Sequence, residues 1–267
     1  MIGRAEIVCG LRRLGIQPGD LVFFHTSIKS FGGCIEDGPN GLIDATYEAV
    51  SPTGTIAVPT HGFSSDAPFE PAKAPLFSTL GLLPRVFAAR PDARRSLHPT
   101  HSDVAIGPDS EWLLDGHERC SSGVGRGSPL DNLRLHPKGK VVLYGVGLDK
   151  VTLFHLAENL APAPYIGFQR KPIFPDVARV RKPDGVIVEV SLEDTPGCAD
   201  GFVALEPLLR ERNLIRETTI GAAAVMAFPA GLAVDVAIEQ IRRDGVSLLP
   251  PAGHCEGCRR ARLQAAG

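Results

Sequence analysis

The sequence of 267 residues contains no long apolar segment, and no run approaches the roughly 18 residues that a membrane-spanning helix needs. It also lacks an excess of positive charge. Its formal net charge is -2, whereas a chain whose main partner is nucleic acid needs a basic surface. The opening residues MIGRAEIVCGLRRLG are charged and amphipathic, without a signal peptide's apolar stretch, and predict a surface helix. We therefore expect a cytoplasmic enzyme with no membrane or nucleic-acid partner.

Six cysteines are too few for a disulfide scaffold in a chain of this length. Near the C-terminus, however, the stretch GHCEGC places Cys255 and Cys258 at the C-x-x-C spacing that brings two thiolates onto one metal ion. No second pair of metal-ligating residues lies next to this C-x-x-C pair in the sequence. Cys198 is the best candidate for a third thiolate, and His254 would complete four ligands. Structural zinc and a pair of free thiols are equal alternatives at this point.

The sequence has neither of the two common phosphate-binding motifs. There is no G-x-x-x-x-G-K-[ST], and no G-x-G-x-x-G follows a predicted strand, which argues against a P-loop ATPase and a Rossmann dehydrogenase. Two other segments offer donors for an anion, each at the end of a predicted strand. These segments are HTSIKSFGG, with Thr26, Ser27, Lys29 and Ser30, and RRSLHPTHS, with Arg94, Arg95, His98, His101 and Ser102.

The order of predicted elements indicates an α/β fold. The apolar strand DLVFFHTS, a glycine-rich connection, the helix LIDATYEAV and the strand TGTIAVPT follow one another, as in a buried parallel sheet. Further along, GKVVLYGVG is a strong strand, followed by the helix TLFHLAENLA. Beyond residue 165 the pattern alternates and predicts a hairpin that turns at Pro183-Asp184-Gly185, followed by two amphipathic helices. We predict one domain over residues 1–267, a three-layer α/β/α sandwich around a mixed, largely parallel sheet, with an added C-terminal hairpin and helical layer.

One histidine lies where an α/β sheet presents its chemistry. In LDKVTLFHLAENL, His155 and Glu158 are three residues apart and share a helix face, just after a strong strand. Histidine is the usual general base near neutral pH, and an acid must then orient it. The candidates for that acid are Glu158, Glu193 and Asp194. The alternative is a core histidine that a neighbouring side chain satisfies.

The segment from 61 to 79 is long, loop-like and rich in proline, phenylalanine and acid, and loops of this length are usually functional. Asp66 and Glu70 lie in it. At a cleft they would form an acidic wall that attracts ammonium groups, and elsewhere they would be surface charges.

Together these segments resemble the aminoglycoside 3-N-acetyltransferases, members of the antibiotic N-acetyltransferase family. The resemblance covers about residue 5 to 260 and rests on the order of HTSIKSFG, GPNGLIDA, GTIAVPTH, PFEP, GLLPRVF, RRSLHPTHS, GSPL, VVLYGVGLDKVTLFHLAE and CEGC. The C-terminal PPAGHCEGC is most similar to the apramycin-acetylating branch.

This resemblance implies an acetyl-CoA donor, an aminoglycoside 3-amino acceptor with resulting antibiotic resistance, and direct transfer without an acyl-enzyme. It implies that His155 is the catalytic base and that a glutamate after the hairpin pairs with it. Glu193 is the best match for that glutamate, with Asp194 as the second choice. The segments that match the CoA site contribute Ser27, Lys29, Ser30, Phe31, Gly32, Arg95, Ser96, His98 and Ser102. The residues expected at the acceptor are Asp66, Glu70, Glu158 and Asp194, and those expected at zinc are Cys198, Cys255 and Cys258.

The sequence departs from the family pattern in the acceptor loop. The family's F-D-P is Phe69-Glu70-Pro71 here, and the preceding acidic cluster is reduced to residues 64–66, with one carboxylate. A first alternative is therefore an acetyltransferase of the same fold that acts on another amine. Two further alternatives are a zinc-dependent hydrolase centred on Cys255 and Cys258, and a CoA-binding protein without activity.

Overall fold

The structure, a computed structural model, describes residues 1–63, 67–166, 174–193, 198–251 and 253–266. Its strands are β1 (Leu21–Thr26), β2 (Thr55–Pro59), β3 (Arg94–Arg95), β4 (Asp103–Ile106), β5 (Gly139–Tyr144), β6 (Val177–Arg181), β7 (Ile187–Ser191), β8 (Arg216–Ile220) and β9 (Ala223–Pro229). Its helices are α1 (Arg4–Arg13), α2 (Gly38–Val50), α3 (Leu82–Ala88), α4 (Ser110–Leu114), α5 (Pro129–Leu135), α6 (Leu153–Leu160), α7 (Glu206–Glu211), α8 (Ala230–Arg243) and α9 (Glu256–Ala265).

Within the described residues, the main sheet has seven strands in the order β3-β4-β2-β1-β5-β9-β8. The central strand β1 runs parallel to both β2 and β5, while the pairs β2–β4 and β5–β9 are antiparallel. The apolar sequence of β1 fits this central position, because a parallel strand is covered on both faces. The predicted mixed α/β sheet is thus confirmed, with the parallel pairing at its centre and antiparallel strands on both sides.

Helices cover both faces of this sheet. Along β1, Phe23 contributes to the core beneath α5, α6 and α8, whereas Phe24 contributes to the opposite core beneath α1, α2 and α3. Successive residues of a strand point to opposite faces, so an almost continuous apolar strand supplies both cores. The predicted three-layer α/β/α arrangement follows from this division.

The predicted hairpin forms a small sheet of its own, β6–β7, and turns where expected. Gly185 has φ = 85°, and the Val186 N–H donates to the Asp184 side chain. A second hairpin, β8–β9, was not predicted. Its strand AAVMAFP consists largely of small residues and carries little of the β-branched and aromatic signal typical of a strand.

Among the described ranges, no helix is both long and apolar enough to cross a lipid bilayer.

Candidate active site

The helix α6 begins at the carboxyl end of β5. After β5 the chain passes through a short 3-10 turn, Leu148–Lys150, and α6 starts beside Thr152. The Thr152 carbonyl accepts a hydrogen bond from the His155 N–H at 3.0 Å, so His155 lies in the first turn of the helix. The carboxyl ends of strands β1, β2 and β5 meet at this edge of the sheet, where α/β proteins bind ligands.

His155 and Glu158 form a buried hydrogen-bonded pair. The His155 Nδ1 atom lies 2.6 Å from Oε2 of Glu158, and the edge of the imidazole packs against Phe202 with ring centroids 4.8 Å apart. The Glu158 side chain is entirely buried, whereas 10% of the His155 side chain remains accessible. The second Glu158 oxygen, Oε1, accepts a hydrogen bond from the Tyr165 hydroxyl at 2.5 Å.

This pairing determines what the imidazole can do. A carboxylate is only an acceptor, so Nδ1 carries the proton in the hydrogen bond to Glu158. The lone pair of the neutral ring is then on Nε2, to which no described residue donates a hydrogen bond. His155 is therefore arranged as a proton acceptor with its tautomer fixed from behind, the arrangement required of a general base.

The acid that contacts the His155 ring is Glu158, not Glu193. Glu193 is exposed, and its backbone N–H donates to the Ser121 carbonyl at 3.0 Å. The prediction that Glu193 orients His155 therefore disagrees with the geometry, because Oε2 of Glu158 already occupies Nδ1. The second choice, Asp194, lies outside the described residues, as does the predicted acceptor contact Asp66.

A cavity of about 230 Å³ lies at the ends of β1 and β2, beside the start of α6. Its walls are mostly apolar, and its polar members include His25, Thr26, Lys150 and Thr152. Nε2 of His25 and Oγ1 of Thr26 are buried without a hydrogen-bond partner among the described residues. Burial lowers the pKa of His25 to about 4, so this imidazole is neutral near pH 7. The cavity thus combines apolar walls with unsatisfied polar atoms, as small-molecule sites do.

Comparison with known proteins shows the family to which the chain belongs. The model of the family described as aminoglycoside 3-N-acetyltransferase matches residues 23–242. Aminoglycoside N(3)-acetyltransferase IV from Salmonella sp. is 33% identical, over 98% of this chain and 95% of its own length. The chain belongs to the aminoglycoside 3-N-acetyltransferase family.

Solved structures extend the likeness. The apoenzyme of aminoglycoside acetyltransferase AAC(3)-IVa superposes with a TM-score of 0.84 at 32% identity, over 98% of this chain and 97% of that one. A mutant of AAC(3)-IVa in complex with apramycin has a TM-score of 0.76 at 30% identity, over 96% and 97% of the two chains. AAC-IIIb, solved as a binary complex with CoASH, gives a TM-score of 0.76 at 26% identity, over 90% and 96% of the chains.

The first segment predicted to bind CoA in this acetyltransferase follows β1 directly. Lys29 is exposed, and Gly32 is exposed with φ = 67°, a conformation that favours glycine. Ser27 is partly buried, and its carbonyl accepts a hydrogen bond from the Ser30 hydroxyl at 2.6 Å. Phe31, by contrast, is a core residue with 1% exposure, so it is an anchor of the loop and not a surface for a ligand.

The second predicted CoA segment is directed into the protein. Arg95 donates to the backbone carbonyls of three loop residues and to the Ser102 hydroxyl, and its guanidinium lies 5.2 Å from the centroid of the Phe69 ring. Ser96, His98 and Ser102 are all buried. Arg95, Ser96 and Ser102 are already hydrogen-bonded within the protein, which argues against the prediction that they hold CoA phosphates. His98 is buried as well, and its Nε2 has no hydrogen-bond partner among the described residues.

A cluster of histidines surrounds this segment. The His98 ring stacks on His117 at 4.6 Å, and the His61 ring lies 4.8 Å from His101. Burial and neighbouring histidines, including His155, lower the pKa of His61 well below its usual value. Burial raises the pKa of Asp103 well above its usual range and lowers that of His61, so burial opposes an ion pair at their 3.9 Å contact.

Two predicted acceptor contacts are already engaged within the protein. The Glu70 carboxylate pairs with Lys73 at 2.6 Å and with Arg181 at 3.0 Å, and these partners lower its pKa. Glu158 is fully buried and hydrogen-bonded at both oxygens, so it does not contact a ligand directly. Glu193, for which a different role was predicted, has an exposed side chain.

The three predicted zinc ligands are brought together. The sulfur atoms of Cys198, Cys255 and Cys258 lie within 4.8 Å of one another. The Cys255 sulfur also accepts a hydrogen bond from the Cys258 N–H at the start of α9. His254 and Asp200 form a second group with Cys198, within the same distance. Among the described residues, no metal-ligating group includes a histidine of the cluster around His61, which argues against a zinc centre beside His155.

The role of Tyr165, which donates to Glu158, could not be predicted from the sequence. A tyrosine seven residues after a glutamate carries no spacing signal, because the helix ends between them and only the path of the turn brings them together. The histidine cluster that includes His61 and His117 could not be predicted either, because their positions depend on how distant segments pack.

Proposed function

We propose that the protein transfers an acetyl group from acetyl-CoA to the 3-amino group of aminoglycosides and so confers resistance to them. Family membership and the complexes of related proteins with aminoglycosides and CoASH support this proposal. The observation that carries it is the His155–Glu158 pair at the carboxyl end of β5, in which Nδ1 faces the buried carboxylate and no described residue donates to Nε2.

In the proposed step, His155 Nε2 takes a proton from the acceptor amine. An ammonium ion has no lone pair, so this proton must leave for the nitrogen to attack the thioester carbonyl. A C–N bond forms, the C–S bond breaks, and the CoA thiolate departs and is protonated. The negative charge of Glu158 stabilises the imidazolium that forms when His155 accepts this proton. We propose direct transfer between the two bound substrates.

The cavity beside Thr152 is the proposed site for the acetyl-thioester end of the co-substrate. Its apolar walls suit a pantetheine arm, and Thr26 and Thr152 supply hydroxyl groups for the thioester oxygen as it gains charge. The exposed Lys29 and the partly buried Ser27 in the loop after β1 are the proposed partners of CoA phosphates, and the Ser30 hydroxyl, which binds the Ser27 carbonyl, holds this loop in shape.

On the acceptor side, we propose that Glu193 binds an ammonium group of the antibiotic. It is exposed, and its backbone is fixed to Ser121. Asp66 and Asp194 stay predicted acceptor contacts. The pairing of Glu70 with Lys73 and Arg181 reduces the free negative charge on the acceptor side, and this favours a second candidate, an acetyltransferase of the same fold that acts on a different amine.

We further propose a structural zinc ion at Cys198, Cys255 and Cys258, with His254 or Asp200 as the fourth ligand. The backbone N–H that Cys258 donates to the Cys255 sulfur supports this, since it stabilises a thiolate and lowers the pKa of Cys255. The ion would fix α9 to the segment at Cys198 and take no part in acetyl transfer. We also propose a cytoplasmic location, where acetyl-CoA is available.

The test is acetyl-CoA turnover against a panel of aminoglycosides and simple diamines, with His155→Ala and, as a matched control, His136→Ala. We expect turnover of aminoglycosides, a loss of about two to four orders of magnitude in kcat for His155→Ala, and a near wild-type control. CoA binding should be retained in both variants. Turnover of diamines alone would favour the second candidate, and full activity of His155→Ala would refute the assigned base.

A further inference from the structure

Tyr165 is buried against the proposed catalytic pair. Its side chain is 0% exposed and lies in the same core as Leu156 and Ala157 of α6. After the helix ends, the Ala163 N–H donates to the Glu158 carbonyl at 3.0 Å, and the turn continues to Tyr165. The phenol is thereby directed back onto the helix, where its hydroxyl donates to Oε1 of Glu158 at 2.5 Å.

This contact divides the Glu158 carboxylate between two donors. Oε2 accepts from His155 and Oε1 accepts from Tyr165, so the carboxylate cannot rotate without breaking one of two short hydrogen bonds. Such charge-assisted hydrogen bonds are about twice as strong as neutral ones. Burial and the negative charge of Glu158 raise the pKa of the Tyr165 phenol far above its ordinary value, so the hydroxyl is a permanent donor.

We infer that Tyr165 is a positioning residue of the acetyl-transfer reaction: it fixes the plane and the charge of Glu158, and through Glu158 the orientation of His155. This inference rests on the proposed function. Tyr165 touches neither substrate in this account. Its effect reaches the reacting nitrogen through two hydrogen bonds, as the outer partners of catalytic imidazoles do in other enzymes.

The charged and titratable groups around this relay come from several elements. On α9, Arg262 favours the phenolate form of Tyr165 and Cys258 opposes it. Arg262 itself is held by the carbonyls of Leu249 and Pro250. From the other side, His61 is near enough to His155 for a charge on His155 to lower the pKa of His61. A substitution of Tyr165 must therefore be compared with a substitution of another buried tyrosine, one that leaves Arg262, Cys258 and His61 in place.

The first experiment compares Tyr165→Phe with Tyr144→Phe. Tyr144 is an equally buried tyrosine whose hydroxyl contacts Thr46 at 2.9 Å, in the opposite core. Loss of one hydrogen bond to a charged group should lower kcat about tenfold in Tyr165→Phe, with KM for acetyl-CoA and aminoglycoside within about twofold of wild type. The acidic limb of the kcat/KM profile should move up by about half to one pH unit, because Glu158 keeps more charge on the oxygen that faces His155.

A second variant keeps the test decisive if Tyr165→Phe does not fold. The chain has three tyrosines, so in a Tyr47→Phe/Tyr144→Phe background biosynthetic fluorotyrosine labels position 165 alone. The more acidic phenol donates more strongly, and the acidic limb should move to lower pH, opposite to the shift in Tyr165→Phe. A profile that does not respond to fluorotyrosine overturns the inference, as does a folded Tyr165→Phe with the kinetics of Tyr144→Phe. Failure of the proposed function is separate, since it would appear as absent turnover in the wild-type protein.

Discussion

The substitution Glu158→Gln removes the charge behind His155 while keeping its shape. The carboxylate is fully buried, and its Oε2 lies 2.6 Å from Nδ1. Opposite unit charges whose centres are about 4 Å apart attract by about 4 kcal/mol at the effective dielectric of a protein site. That energy is gained only as the imidazolium forms, so its loss should lower kcat by about three orders of magnitude. The glutamine amide can also donate to Nδ1, which would place the ring proton on Nε2 and block proton acceptance.

The assay follows loss of the acetyl-CoA thioester absorbance with a saturating aminoglycoside, for Glu158→Gln and Glu193→Gln side by side. For Glu193→Gln we expect a higher aminoglycoside KM and a kcat within about threefold of wild type, since its role is to attract an ammonium group. The reverse result, with kcat lost in Glu193→Gln and kept in Glu158→Gln, would refute the reasoning and restore the assignment made from the family resemblance.

Three further predictions concern stability. Burial lowers the pKa of His25 to about 4 and that of His117 to about 3, whereas a histidine in the unfolded chain titrates near 6.5. Acidification from pH 7 to pH 5 should therefore lower the free energy of unfolding by about 2 kcal/mol for each of these histidines. Urea titrations that show the same stability at both pH values would contradict this prediction. Cys258→Ser, compared with the exposed Cys34→Ser, should abolish bound zinc measured by mass spectrometry and lower Tm; equal zinc in both would exclude the site. Arg95→Lys should lower the urea-unfolding free energy by about 2–3 kcal/mol and leave the KM for acetyl-CoA unchanged; a raised KM at unchanged stability would return this residue to the CoA site.

The features of the structure that could be predicted from the sequence depend on local patterns. The strand before α6 is largely apolar, and His155 and Glu158 share a helix face whatever surrounds them, so the strand and the pair were both accessible from the sequence. The mixed sheet could be predicted for the same reason, because each central strand carries its own apolar signal. The C-x-x-C pair is equally local, and the fold then brought Cys198 to it.

The site assignments that the geometry does not support depend on the path of the chain between helices and strands. The spacing of RRSLHPTHS does not tell whether Arg95 meets a ligand or the carbonyls of its own protein, since either partner satisfies the guanidinium. Glu193 follows a hairpin strand, and its direction depends on the register of β6 and β7. For such residues the decisive information lies in contacts between distant segments.

The hairpin β6–β7 is fastened to the rest of the molecule by backbone hydrogen bonds. The Phe69 N–H donates to the Arg179 carbonyl, the Arg181 N–H donates to the Phe69 carbonyl, and the Glu193 N–H donates to Ser121. These bonds do not depend on side-chain identity, so the hairpin tolerates exchange of its outward-facing residues without disturbing the parallel strands or α6. Because the proposed acceptor contact Glu193 follows this hairpin, we expect substitutions there to change which amines are accepted while His155 and Glu158 keep their positions. Measuring kcat and amine preference across a library of hairpin variants would separate the choice of acceptor amine from the proton-transfer step.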